Sequence, residues 1–429
     1  MTDAAPPQPR PHLGASFAKL WSASLLSNLA DGVLKVAIPL VAVRLTDSPL
    51  LIGALGVAMA LPWLVFALPA GALADRVDRR VAMLVANGTR GLVAGLLALT
   101  LLTDLGSIWV LYVAGFVLGV AEVLYDTTAQ SILPQVVDRS ALTTANSRLY
   151  GAETVANQFV GPPLGGLLLG AGVAIAVGAP AALWALAFLA LAWIPGRFRV
   201  ERTGPATTLR SDIAEGLRYL AGHRVLRMLA LMTGTSNFAS SAAFSVFVLY
   251  AVGEDSPMGL TDFGYGVLNT TSAVGAVAGS FFAASLSKAI GRAWSLGLGV
   301  ITFTAMVAVP ILTSNAWVIG AVWVLSGAGV MVWNVIAVSL RQQVTPDRLL
   351  GRMNSCYRLL AWGTMPVGAL VGGLVGEAFG LIAVFWVATI ISALTGLGLL
   401  VVTDKAIAQA EADAEEQARA LAAAEPEQA

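Results

Sequence analysis

Apolar runs of membrane-spanning length recur about a dozen times along the 429 residues, with only short polar breaks between them. They lie near 17–43, 50–73, 81–103, 107–131, 148–172 and 173–195, then near 224–250, 263–287, 293–312, 315–341, 357–379 and 381–402. A helix needs roughly 20 apolar residues to cross the hydrocarbon core. Inside lipid every backbone N–H and C=O must be satisfied within the chain, which leaves helices or closed barrels. Runs of this length argue for helices. Composition agrees: 57% of residues are hydrophobic and 12% charged, where soluble domains carry about 25% charged residues. The expected fold is an all-α membrane protein of about 12 transmembrane helices.

The remaining composition is mostly exclusion. Formal net charge is zero, so no nucleic-acid partner is indicated. Two histidines, His12 and His223, and one cysteine, Cys356, leave neither a His/Cys metal site nor a disulfide framework. No G-x-x-x-x-G-K-[ST] run is present to cradle ATP, and no cofactor is expected. Residues 1–16 are polar and Pro-rich, and the first span carries Asp31 and Lys35, unlike a cleavable leader.

Basic residues orient the chain. Arg76, Arg79 and Arg80 follow span 2, Arg139 and Arg148 follow span 4, and seven arginines from Arg197 to Arg227 follow span 6. Lys288 and Arg292 follow span 8, and Arg341, Arg348, Arg352 and Arg358 follow span 10. The odd-numbered connections hold Arg44 and several acids. By the positive-inside rule the even loops and both termini are cytoplasmic. The expected organisation is a cytoplasmic segment 1–16, a six-helix bundle 17–195, a cytoplasmic linker 196–222, a second bundle 223–402 and a cytoplasmic tail 403–429. Within the linker, Ile213, Leu217 and Leu220 recur at helical spacing, which predicts an amphipathic helix on the membrane face. The tail, rich in Ala and Glu, reads as a frayed helix or a disordered segment.

The two bundles echo each other. Asn146-Ser147-Arg148 after span 4 matches Asn354-Ser355 and Arg358 after span 10. Gly161-Pro162-Pro163-Leu164-Gly165-Gly166-Leu167 and Gly368-Ala369-Leu370-Val371-Gly372-Gly373-Leu374 both fit G-x-x-x-G-G-L. Such repeats suit transporters that alternate access around a midplane site.

Gly71-Ala72-Leu73-Ala74-Asp75-Arg76-Val77-Asp78-Arg79-Arg80 resembles the G-x-L-A-D-R-x-G-R-R loop signature of the major facilitator superfamily. It departs at Asp78, where the family usually has Gly, which predicts a more strained turn. The resemblance implies two pseudo-symmetric six-helix bundles and a gate latch. In that latch Asp75 caps the start of span 11 near Arg358, and Arg79 pairs with Asp126. Gly161, Pro162, Gly165 and Gly166 look like the G-P-x-x-G-G signature of drug:proton antiporters. Asp31 to Pro39 and Asp212 to Leu220 are similar to the branch holding macrolide efflux proteins and the enterobactin exporter. One departure is Gly115, which stands where many drug antiporters place an Arg in span 4.

Ionisable residues inside spans are costly and are functional candidates. Asp31 and Lys35 lie one turn apart in span 1, Arg90 in span 3 and Glu122 in span 4. The resemblance implies that spans 1, 4, 7 and 10 line a central cavity. Asp31 first and Glu122 second are the candidates for proton coupling, with a static Asp31–Lys35 ion pair as the plainer alternative. Tyr125, Asn237, Phe238, Trp333 and Asn334 are further candidates for the cavity wall. The expected function is a monomeric, proton-coupled exporter of small amphipathic molecules or drugs in a bacterial-type inner membrane. A lysophospholipid or metabolite transporter, or an importer, would share the fold. A membrane enzyme is disfavoured by the scarcity of His and Cys, and a non-transporting sensor by the lack of a sizeable soluble domain.

Overall fold

The computed structural model describes residues 13–74, 77–138, 141–198 and 209–424. Spans 1 to 4 are α1 (Gly14–Ala42), α2 (Pro49–Ala74), α3 (Arg79–Leu102) and α4 (Ile108–Val136). Span 5 is composite: α5 (Leu142–Glu153), a π-helical turn (Thr154–Val160) and α6 (Gly161–Ala171). Span 6 is α7 (Val173–Ala192), and α8 (Leu209–Gly222) follows it. Spans 7 to 10 are α9 (Arg224–Ala251), α10 (Asp262–Ile290), α11 (Arg292–Leu312) and α12 (Ala316–Val344). Span 11 is α13 (Asp347–Gly363) plus α14 (Met365–Phe379), span 12 is α15 (Leu381–Thr395), and α16 (Asp404–Ala424) ends the chain.

Ten helical stretches are individually long and apolar enough to cross a membrane. The other two rods complete the dozen. Span 5 falls short because it is broken: Pro162 has no N–H to bond back one turn, and the backbone takes a π turn just before it. In α9, Thr233, Asn237, Ser240 and Ser241 lower the hydropathy of an otherwise apolar helix. Large apolar side chains such as Leu96, Leu102, Phe281, Phe282 and Trp294 stand exposed on the outer surface, as a lipid-facing wall requires.

The repeat in the sequence becomes a repeat in the packing. Gly161 and Gly165 lie against the α1 backbone at Gly32 and Val33, while Gly166 meets the α10 backbone at Asp262 and Phe263. In the second half Gly368 and Gly372 lie against α9 at Phe238 and Ala242, while Gly373 meets α2 at Pro49, Leu50 and Gly53. Spans 5 and 11 thus do the same work. Two glycines press each onto the first helix of its own half, and the last presses it onto the opposite half.

The halves meet most closely at the end away from the chain termini. There Arg44 bonds Asp262 at 2.6 Å, and the Ser48 hydroxyl donates to Glu377 at 2.7 Å. At the terminal end the inter-half contact is between α13 and α2, with Trp63 and Trp362 edge to face at 5.2 Å.

Three expectations change. α8 packs on protein through part of its stripe: Leu220 is buried, Tyr219 donates to the Val344 carbonyl at 2.6 Å and Glu215 bonds Arg352 of α13, while Leu217 stays exposed. The tail is neither frayed nor loose over its first turns. Ile407 and Ala410 of α16 are buried, Glu411 bonds Arg292, and Asp404 accepts from the Ala293 N–H at 2.9 Å, at the start of α11. Asp78 is not strained. Its φ is −66°, and its carboxylate accepts from the N–H groups of Arg80, Val81 and Phe198. It caps α3, a task for which the family's usual glycine has no side chain.

Candidate functional site

α1 is packed almost all round. From Ser27 to Ala42 the side chains not fully buried are Asn28, Leu29, Asp31, Lys35 and Pro39. Asn28, Asp31, Lys35 and Pro39 recur at three- and four-residue spacing, so they form one stripe. Lys35 is the one exposed residue on α1 between Ala18 and Arg44. α4, α5, α6, α7 and α10 pack around the helix, and this stripe is the part of it that they leave uncovered.

Asp31 pairs with Arg90 of α3, at 3.4 Å, rather than with Lys35. The Arg90 side chain is 1% exposed and the Asp31 side chain 18%. Arg90 also donates to Ser27 Oγ at 3.1 Å, and Ser27 donates in turn to Asn87 at 3.2 Å. The guanidinium lies 5.3 Å from the Tyr125 ring centroid and 5.5 Å from that of Trp184. Two π faces and one carboxylate therefore replace water around a buried cation. The network is only partly satisfied: Arg90 Nη2, Asn87 Nδ2, the Tyr125 hydroxyl and Trp184 Nε1 have no hydrogen-bond partner among the described residues. Glu122 is half-buried on α4, within electrostatic reach of both Arg90 and Lys35. Four charged groups, two of each sign, thus share one part of the first half.

Tyr125 does not line the cavity; it is buried beneath Arg90. Asn237 donates to the Ala361 carbonyl at 2.8 Å and ties α9 to α13 within the second half. Phe238 is half-buried, with its carbonyl against Gly368. Trp333 packs on α11 at Gly299. Asn334 is exposed, in a stripe on α12 with Val338 and Ser339.

Of the latch residues, Asp75 and Arg76 lie outside the described residues, and Gly71 belongs to the last turn of α2. Arg79 donates to the Ser131 carbonyl near the end of α4, and Arg80 to the Leu191 and Ala192 carbonyls at the end of α7. These two arginines cap helix C-termini, where cations are favoured. Asp126 is therefore not the ion-pair partner of Arg79. It lines a cavity of about 230 Å³ with Arg358, Trp63 and Trp362. Arg358 lies over the Trp362 ring, 4.4 Å from its centroid.

Sequence reasoning noted Arg90 but did not place it in the cluster, and it missed Ser27, Asn87 and Trp184. A signal was present. Asn87 and Arg90 stand three residues apart in an apolar span, and Ser27 and Asp31 four apart in another. Gly115 packs against α2. A Cβ there would stand 3.1 Å from the Met59 side chain, and the buried arginine of this half is Arg90 on α3.

Comparison with known proteins agrees with this architecture. The family model described as transmembrane secretion effector matches residues 10–427. The multidrug efflux pump Tap of Mycobacterium tuberculosis is 28% identical over 404 residues, covering 90% of this chain and 92% of that one. The enterobactin exporter EntS of Escherichia coli is 27% identical over 368 residues, covering 84% and 85%. Among solved structures, a variant of the nucleoside transporter NupG superposes with a TM-score of 0.75 at 10% identity, over 90% of this chain and 99% of that one. A bacterial homologue of the iron transporter ferroportin, in an inward-facing state, gives 0.70 at 17% identity, over 90% and 98%. Shared fold, a repeated span-5 and span-11 architecture and a match along nearly the whole length lead to one assignment: the chain belongs to the transmembrane secretion effector family, within the major facilitator superfamily of membrane transporters.

Proposed function

We propose that this transporter is an exporter in a bacterial inner membrane, with both termini cytoplasmic, that moves small amphipathic molecules or drugs outward against an inward flow of protons. The observation that carries the reading is the Asp31–Arg90 pair, buried on one side and opening on the α1 stripe on the other. The names of the Tap and EntS relatives, an efflux pump and an exporter, support the direction.

The coupling follows from charge. Ionised Asp31 holds Arg90 by a Coulomb attraction strengthened by poor solvation. A proton arriving on Asp31 removes that attraction and leaves Arg90 to Ser27, the aromatic faces and the more distant Glu122. The helix carrying Asp31 is also the one that Gly161 and Gly165 press against span 5. A change of charge on α1 therefore bears on the rod that also contacts the other half. Rocking of the two halves would expose the cavity to one side and then the other. Asp75, Asp126 and Arg358 would serve as the cytoplasmic latch, holding one state and parting in the other, while Arg79 and Arg80 fix the helix ends beside it.

The test is internal pH in proteoliposomes holding the purified protein, on adding amphipathic drugs, for wild type and Asp31→Asn. Drug-dependent proton movement that vanishes in a folded Asp31→Asn variant supports the mechanism. Movement that survives transfers the role to Glu122. Drug binding with no proton movement in wild type overturns the antiport reading.

A further inference from the structure

We infer that Lys35 is the docking point for an anionic group of the substrate, so that the preferred cargo is an amphipathic molecule with a carboxylate or comparable acid at one end; this rests on the exporter reading above. Among the described residues, Lys35 is the one cation of the cluster without a paired carboxylate. Asp31 holds Arg90, and the Arg90 side chain is 1% exposed, so neither is free to meet a bulky solute. Lys35 alone on the spanning part of α1 is exposed, and it has no carboxylate within 4.0 Å among the described residues. Glu122 is the acid within its electrostatic reach, at a longer range.

The opposite wall sharpens the inference. Spans 7 to 10 of the second half carry no Asp, Glu, Lys or Arg between Met228 and Ala251, Phe263 and Ser287, Ala293 and Leu312, or Ala316 and Leu340. Span 11 carries Arg358, which stands with Asp126 and Trp362 in the cavity of about 230 Å³, and Glu377, which bonds Ser48 at the other end. The contribution of spans 7 to 10 is neutral, with Asn334 and Ser339 exposed on α12. A substrate would therefore place its charged end on the first half and its uncharged, partly apolar body on the second. An ammonium head would meet Lys35 as a like charge in a poorly solvated space, which is costly. A carboxylate would gain a charge-assisted hydrogen bond there.

Three fluorescent probes test this with the full-length protein in detergent: dansyl-aminohexanoic acid, its methyl ester, and the matching primary amine. Binding is read by dansyl fluorescence at neutral pH, for wild type, Lys35→Arg and Lys35→Met. The expected result is that wild type binds the acid about tenfold more tightly than the ester, the amine most weakly of the three, as one charged hydrogen bond allows. Lys35→Arg keeps that ratio, and Lys35→Met brings acid and ester together. Equal affinity of wild type for acid and ester, or a preference for the amine, overturns the inference without any variant. So does an acid preference that persists in folded Lys35→Met. Proton-driven uptake of the ester in proteoliposomes is measured alongside. If the ester is pumped but the acid has no advantage, the anion site falls and the exporter stands. If nothing is pumped but the Lys35-dependent preference holds, the exporter reading falls and the anion site stands.

Discussion

At the scale of single residues, the structure turns on a cation buried by its own half. Arg90 has one carboxylate, one hydroxyl and two ring faces in place of water. Removing one member of such a pair strands the other, at about 3–5 kcal/mol for a buried pair. Asp31 retains some exposure, so the lower end applies to its loss. Arg90→Ala is expected to lower the thermal midpoint in detergent more than Asp31→Asn does. The double variant Arg90→Gln with Asp31→Asn should recover part of the stability without recovering proton coupling. Thermal unfolding followed by tryptophan fluorescence checks the order; a double variant less stable than either parent would count against the pair. Asp31, Lys35 and Glu122 were legible in the sequence because charge inside an apolar run is conspicuous. Which charge meets which was not. Asp31 and Arg90 are 59 residues apart, and the i,i+4 neighbour Lys35 is the partner that local spacing suggests. Only the placement of α3 beside α4 and α7 brings the arginine in.

At the scale of elements, two devices recur, and they differ in how far the sequence discloses them. Gly166 is a steric device. A Cβ added there would stand 2.2 Å from the Asp262 carbonyl oxygen, and real Cβ atoms do not approach backbone so closely. Gly166→Ala should therefore push α6 from α10 and disfavour the state closed at that end, with larger effect than Gly170→Ala, where nothing lies within 4 Å. Cysteine cross-linking between α6 and α10, in a background lacking Cys356, should fall for the first variant and hold for the second. The G-x-x-x-G-G-L repeat made this element visible in advance. The polar ladder between α9 and span 11 did not announce itself. Thr233 meets Tyr357, Asn237 donates to Ala361, Ser241 to Met365 and Ser245 to Ala369, one rung per turn at a constant separation of 124 residues. The rungs staple the break where Pro366 interrupts span 11. A polar residue in a span is read equally well as cavity wall or as internal tie, so Asn237 was ambiguous. Polar ties in membranes average about 0.6 kcal/mol, and the Thr364 hydroxyl also donates to Ala361. Asn237→Ala is thus expected to cost no more than about 1 kcal/mol and to leave probe affinity within about twofold. A large loss of affinity at unchanged stability would return Asn237 to the cavity.

At the scale of the whole molecule, the two halves form a balance, and their contacts decide which way it rests. The helix count follows from apolar run lengths and the two-bundle plan from the repeated Asn-Ser-Arg and G-x-x-x-G-G-L segments, which is why they were readable. The packing of α8 on α13 and the docking of α16 were not, because an amphipathic pattern does not disclose which of its side chains protein will cover. Nor does sequence indicate which end of the balance is closed. In this structure it is the end away from the termini, held by Arg44 on Asp262 and by Glu377 on Ser48 and the Leu50 N–H. The Arg44 side chain is 42% exposed, so its pair is worth little, about 0.2–1 kcal/mol. Little is enough under the proposed alternating access, which requires both states to lie within a few kcal/mol. Removing both ties with Asp262→Asn and Glu377→Gln should move the equilibrium toward opening at this end, by up to about fivefold per kcal/mol lost. Spin labels at Val43→Cys and Met258→Cys, with Cys356→Ser, report the distance between the halves there. The expected result is growth of a longer-distance population in the double variant, smaller in each single variant, where Asp262 or Glu377 is restored. An unchanged distribution would mean that glycine packing at Gly166 and Gly373, rather than the polar ties, holds that end shut.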